Sequence, residues 1–112
     1  MVGSPFPRVA QRLMARPNTE FVVSIVTGWE IVLKPKLGRS AADVDAAVTA
    51  MGAVLLPIRF GHLGELSNLP FHDGHRDPFD RMLIAQALAE DIPIVSGDTR
   101  FTDYKRLRVF WD

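Results

Sequence analysis

Apolar residues in this chain come in two kinds of run. Phe21-Val22-Val23-Ser24-Ile25, Ala53-Val54-Leu55-Leu56-Pro57-Ile58 and Ile92-Pro93-Ile94-Val95-Ser96 lack polar alternation, the pattern of strands covered on both faces in a parallel sheet. Between them, apolar positions recur every three or four residues, as on helices with one inward face. Residues 5–16 place Val9, Leu13 and Met14 on one face, and Pro17-Asn18 closes that helix. Thr27 with Glu30 three positions on has the capping-box arrangement, predicting a helix through Ile31, Val32 and Leu33 that Pro35 ends near Lys34 and Gly38 stops. Ser40 with Asp43 repeats the signal and opens a helix through Val44, Ala47, Val48 and Met51, closed by Gly52. Residues 61–69 read as a short helix with Leu63 and Leu66 inward, and residues 70–75 as a polar loop. Asp77 before Pro78 marks a helix start, because the aspartate accepts an orphan amide hydrogen and proline has none to offer. That helix continues with Met82, Leu83, Ala85, Gln86, Ala87 and Leu88 on an apolar face. Residues 99–104 read as a turn and 107–111 as a last strand, while Trp29, Phe79 and Trp111 read as core anchors. The alternation predicts an α/β fold with a parallel sheet, in a single domain over residues 1–112.

Composition narrows the function. At 112 residues, with 47% hydrophobic and 23% charged, the chain has the balance of a globular protein. Thirteen basic and thirteen acidic residues cancel, which excludes the broad basic footprint of a DNA-wrapping protein. A nucleic-acid contact therefore needs a local patch. Arg76, Arg81, Arg100, Lys105, Arg106 and Arg108 crowd the last third, where the plain reading is a solvated face. The lack of cysteine removes disulfides and thiolate metal sites and fits a reducing cytoplasm. No apolar run approaches membrane-spanning length and no signal pattern opens the chain, so a soluble cytoplasmic protein is expected.

In an open α/β sheet, ligands bind beyond the carboxyl ends of the strands. Glu30 follows the first strand, Asp80 opens the helix before the third, and Asp98 follows the third. Like charges gathered at one edge repel unless a cation neutralises them. Oxygen ligands suit magnesium or manganese, which needs only one or two direct carboxylates and can activate a water against a phosphodiester. Singly, each residue has a simpler role: Glu30 as a capping-box partner, Asp80 at the positive end of a helix dipole, Asp98 in a turn. Asp77 reads better as an N-cap than as a ligand. His62, His72 and His75 lie in or beside loops, without the fixed helical face of a zinc motif, and read as surface histidines. What favours a site is that all three acids fall near strand carboxyl ends.

At these residues a resemblance appears. Ser24, Trp29-Glu30-Ile31, Leu37-Gly38-Arg39, the block His75-Arg76-Asp77-Pro78-Phe79-Asp80-Arg81 with Leu83-Ile84-Ala85-Gln86-Ala87, Val95-Ser96-Gly97-Asp98 and Val109-Phe110-Trp111 together resemble the PIN-domain family, most closely its VapC-type toxins. The resemblance covers nearly the whole chain in order. It implies a three-layer fold with helices flanking a parallel sheet, and a magnesium- or manganese-dependent endoribonuclease. Glu30, Asp80 and Asp98 match the second, third and fourth acidic positions, as catalytic residues and metal ligands, with Asp77 able to assist. Arg76, Arg81 and Arg100 become candidates for substrate contact. A homodimer and a cognate antitoxin are implied as partners. The family's first strand, which ends in an Asp-Thr-His-like motif and lies centrally in the sheet, has no counterpart in Met1-Val2-Gly3-Ser4. That departure implies an N-terminally truncated fold short of one acidic ligand, with weaker cleavage, lower stability and a tendency to associate. It also opens an alternative: a catalytically impaired PIN remnant acting through dimer or antitoxin contacts.

Overall fold

A computed structural model of the chain describes residues 19–71, 77–95 and 99–110, with the side chains of residues 99, 100 and 110 outside the description. The helix expected over residues 5–16 and the anchor Trp111 lie outside the described residues. In order come β1 (Val22–Ser24), α1 (Ile25–Leu33), a 3-10 turn (Pro35–Leu37), α2 (Ala41–Ala50), β2 (Val54–Leu56), α3 (Phe60–Asn68), α4 (Pro78–Glu90), β3 (Ile94–Val95), a second 3-10 turn (Thr99–Asp103) and β4 (Val109–Phe110). The α/β alternation expected from the hydrophobic pattern is therefore present. β1 pairs in parallel with β2, Val23 opposite Leu55, and β3 pairs in parallel with β4, Ile94 opposite Val109. Among the described residues these form two separate two-stranded sheets.

The two pairs share one core through α4. Leu83, Ile84, Ala85, Gln86 and Ala87 are all buried, a consecutive run longer than one helical turn, so this helix is covered around its circumference rather than along one stripe. Its apolar atoms join Val26, Leu56, Leu69, Ile94, Phe101, Tyr104 and Leu107 in a single cluster. A helix enclosed on all sides cannot leave a polar side chain unpaired. Gln86 meets that constraint with bonds to three elements. It accepts from the Ser24 hydroxyl, and its Nε2 donates to the Pro57 carbonyl at 3.2 Å and lies 3.3 Å from His62 Nδ1.

Helix ends follow the expected chemistry with one correction. Ser40 and Asp43 form the predicted capping box. Asp77 accepts the amides of Phe79 (2.8 Å) and Asp80 (3.2 Å), with Pro78 at the first helical position. Pro35 and the left-handed Gly38 (φ 58°) terminate the α1 segment as anticipated. Thr27, however, caps nothing. Helix α1 begins at Ile25 without a connecting residue, and Ser24 is its N-cap, accepting the Val26 amide at 3.0 Å. Ser24 wins because it is the last strand residue, with the extended backbone (φ −75°, ψ 143°) that an N-cap requires. Glu30 thus sits in the second turn of α1 rather than in a capping box, and the Thr27 hydroxyl is buried without a hydrogen-bond partner among the described residues.

Three burial expectations also change. His62 is 2% exposed, not a surface histidine. Its Nδ1 accepts the Arg59 amide at 3.0 Å, which leaves Nε2 to carry the proton and face Glu90 at 3.2 Å. Leu63 is exposed where His62 points inward, one residue out of the expected phase. Trp29, read as a core anchor, is 54% exposed; it stands edge-on to Phe79 with ring centroids 4.8 Å apart, and Phe79 packs on the core.

The Gln86 hub generates a stability prediction. Gln86→Leu keeps apolar bulk but leaves the Ser24 hydroxyl and the Pro57 carbonyl without their buried partner, a cost of about 1–3 kcal/mol that lowers Tm by roughly 5–15 °C. Thermal melting followed by circular dichroism checks it; an unchanged Tm would show that the hub contributes nothing.

Candidate functional site

Two helices bring acidic side chains together. Helix α4 begins with the Asp77 cap and carries Asp80 in its first turn, where the positive end of the helix dipole favours negative charge. Helix α1 leaves β1 directly and packs beside α4, and the Trp29–Phe79 contact fixes their relative rotation one residue before Glu30 and Asp80. The electrostatics register the result. Burial pushes the Glu30 carboxyl above its ordinary value; Lys34, one turn along, pulls it back down, and the charges of Asp80 and Asp77 push it up again. Glu30 thus lies within the fields of both aspartates.

Carboxylate oxygens are the donor type that hard cations take. The donors are all carboxylate oxygens, and their mutual repulsion is what a divalent ion would relieve. The described carboxylates do not complete a site by themselves: no group of three His, Cys, Asp or Glu side chains among the described residues stands close enough to hold a metal.

A PIN-domain family model matches residues 1–107. The chain belongs to the PIN-domain family. Seven chains of solved structures match it. One is a chain in the crystal structure of VapBC2 from Rickettsia felis bound to a DNA fragment from their promoter, with a TM-score of 0.63 at 12% identity, covering 94% of this chain and 84% of that one. At that identity the likeness is one of fold. No curated protein sequence matches the chain.

Within this PIN domain the other candidate residues fall in different places. Asp98 and Arg76 lie outside the described residues, as does the side chain of Arg100. Arg81 is 6% exposed. Its Nη1 donates to the Pro70 carbonyl at 2.8 Å and to the Tyr104 hydroxyl at 3.4 Å, and its Nη2 to the Leu69 carbonyl at 3.3 Å. Of the described basic residues in the last third, Arg81 departs from the expected solvated face, while Lys105, Arg106 and Arg108 are exposed. Arg106 pairs with Glu65 at 2.9 Å, Arg108 holds Asp91 at 3.3 Å, and Arg81 is turned inward. Arg59 and His62 both reach Glu90, tying α3 to the end of α4. Sequence reasoning missed the Ser24–Gln86–His62 chain. Its signal was a glutamine inside an otherwise apolar helix run.

Two measurements address this geometry. With its pKa raised above 4.5, Glu30 holds its proton more firmly in the folded than in the unfolded chain. Its contribution to stability therefore falls as pH rises from about 4.5 through the raised pKa. Carboxyl NMR titration of the metal-free protein should place the Glu30 midpoint above 4.5; magnesium, or Asp80→Asn, should move it down. A midpoint at or below the ordinary value would contradict the arrangement. For Asp77, replacement by Ala removes a cap worth about 1 kcal/mol, whereas Asn, an equally good cap, leaves Tm nearly unchanged. Thermal melts of both variants separate capping from any dependence on charge.

Proposed function

We propose that this PIN domain is the endoribonuclease toxin of a VapC-type toxin–antitoxin pair, acting in the cytoplasm on RNA. The observation that supports the reading is that Glu30 on α1 feels the charges of both Asp80 and Asp77 at the start of α4, which together with burial push its carboxyl toward protonation. Glu30 and Asp80, with Asp98 from the segment after β3 and Asp77 beside them, would hold magnesium or manganese. When bound, such a cation would supply positive charge for a phosphate and would lower the pKa of a bound water. The chain's own residues do the rest. Asp77 fixes the start of α4 and so the direction of Asp80; Lys34 supplies a positive charge beside Glu30; Trp29 and Phe79 hold the two helices in register.

A protein partner fits a second surface. Ile25, Gly28, Trp29 and Val32 of α1, Val44 and Val48 of α2, and Leu55 of β2 line an apolar groove of about 270 Å³. Ile25, Trp29, Val32 and Leu55 are each exposed by two-fifths or more. Large apolar patches of this kind mark protein contacts. A cognate antitoxin, or a second copy of the chain in a homodimer, would cover it. VapBC2 from Rickettsia felis, a chain of which shares the fold, is bound to a DNA fragment from its promoter. A second reading is a PIN domain that keeps partner contacts through this groove and has lost cleavage.

RNA cleavage separates the two. The purified chain should cut single-stranded RNA only with magnesium or manganese, and Glu30→Gln and Asp80→Asn should each lower the rate by about 10–100-fold or more while Tm stays near that of the parent. A chain that binds its antitoxin and cuts nothing at any metal concentration would establish the second reading. Cleavage unaffected by either substitution would remove these carboxylates from the site.

A further inference from the structure

A second cleft opens on the other side of the α4 N-terminus. Leu66, Ser67 and Leu69 from the end of α3, Phe71 from the loop that follows, and Pro78 and Arg81 from α4 enclose about 380 Å³, within the range of small-ligand clefts. Its floor is charged and its wall aromatic. The Arg81 guanidinium lies 4.1 Å from the centre of the Phe71 ring, donates only to two carbonyls and a tyrosine hydroxyl, and pairs with no carboxylate among the described residues. Burying an arginine without a counter-ion is costly; here the cost goes into holding one face of Phe71. The ring itself is 73% exposed, so its other face is open.

We propose that this cleft is a nucleobase subsite, in which an unpaired base of the RNA strand stacks on Phe71 while the charge of Arg81 attracts the adjoining phosphate; the choice of RNA rests on the ribonuclease reading above. Three features favour a base over other ligands. An exposed aromatic ring rigidly backed by a cation is a stacking platform, and such platforms take single-stranded bases with little regard to sequence. The guanidinium charge, matched by no carboxylate among the described residues, complements a phosphate rather than another cation. Asp80 and Arg81 are consecutive residues of α4, with Cα atoms about 3.8 Å apart and side chains leaving the axis about 100° apart. A strand with its scissile phosphate at the acidic site therefore has a neighbouring nucleotide within reach of the cleft. Arg81 offsets the repulsion that the carboxylates alone would present to a polyanion.

The test uses the whole chain and substitutions at Phe71, because changing Arg81 would release the loop that it holds. Binding of fluorescein-labelled eight-nucleotide oligoadenylate is measured by anisotropy in EDTA, so that nothing is cut. Phe71→Ala and Phe71→Leu should weaken binding about 5–100-fold, the loss of one stacked base, and Phe71→Trp should retain it and gain a fluorescence quench on RNA addition. In magnesium, the Ala and Leu variants should raise KM for RNA cleavage with kcat little changed. If Phe71→Ala lowers Tm, the Leu and Trp pair decides, since only a stack distinguishes them. Equal affinities and no quench overturn the subsite even where cleavage is intact. Loss of antitoxin co-purification in Phe71→Ala with unchanged RNA affinity also overturns it, by making the cleft a protein contact. RNA binding that depends on Phe71 in a chain that never cleaves keeps the subsite and removes the nuclease reading instead.

Discussion

The enclosure of helix α4 is the constraint from which the arrangement follows. Because Leu83 to Ala87 are covered on every side, each neighbouring element must offer that helix either apolar surface or a matched polar atom. Ser24 at the β1–α1 junction, Pro57 after β2 and His62 in α3 answer to the one glutamine in the buried run. A buried amide satisfied by three separate segments specifies how they dock more strictly than apolar contact does, since a shift of one residue would leave donors and acceptors unpaired. The Asp77–Pro78 cap then sets where the helix starts. From that origin, the residues beyond the enclosed run are divided between tasks: Asp80 toward α1 and Glu30, Arg81 toward the Phe71 loop.

Charge is handled in opposite ways on these two sides. Toward α1, burial and the charges of Asp80 and Asp77 raise the Glu30 pKa, and Lys34 offsets them only in part. Toward the Phe71 loop, a guanidinium is committed to carbonyls and a ring instead of to an acid. Neither choice makes the fold more stable, because like charges repel and a buried cation loses hydration. Both place charged side chains in the first turn of the same helix.

Much of the fold was legible in the sequence because its signals are local. The Ser40–Asp43 box, the Asp77-Pro78 start and the Pro35–Gly38 stop each depend on residues within one turn, and each appears where expected. The order of strands and helices followed from the unbroken apolar runs. What escaped were features that depend on contacts between distant segments. Thr27 and Ser24 are both plausible caps by composition; only the strand ending at Ser24 decides between them. His62 looked solvent-facing because histidine in a Gly-rich stretch carries no burial signal, and its role needs Arg59, Gln86 and Glu90 together. Trp29 and Leu55 were expected inside because they are large and apolar, yet they line an open groove. Among the acidic candidates, residue types were readable and their mutual influence was not: the effect of Asp80 on Glu30 depends on how α1 and α4 pack.

The separation of the Gln86 hub from its partners along the chain bears on how the protein is made. Ser24 and Gln86 are 62 residues apart, and β1, α1, α2, β2 and α3 all precede the helix against which they pack. During synthesis those five elements leave the ribosome before their common support exists. Loop closure over such spans is slow compared with local helix formation, and apolar surface waiting for its cover is prone to stick to other chains. The early elements therefore reach their final packing only after residues 78–90 have emerged.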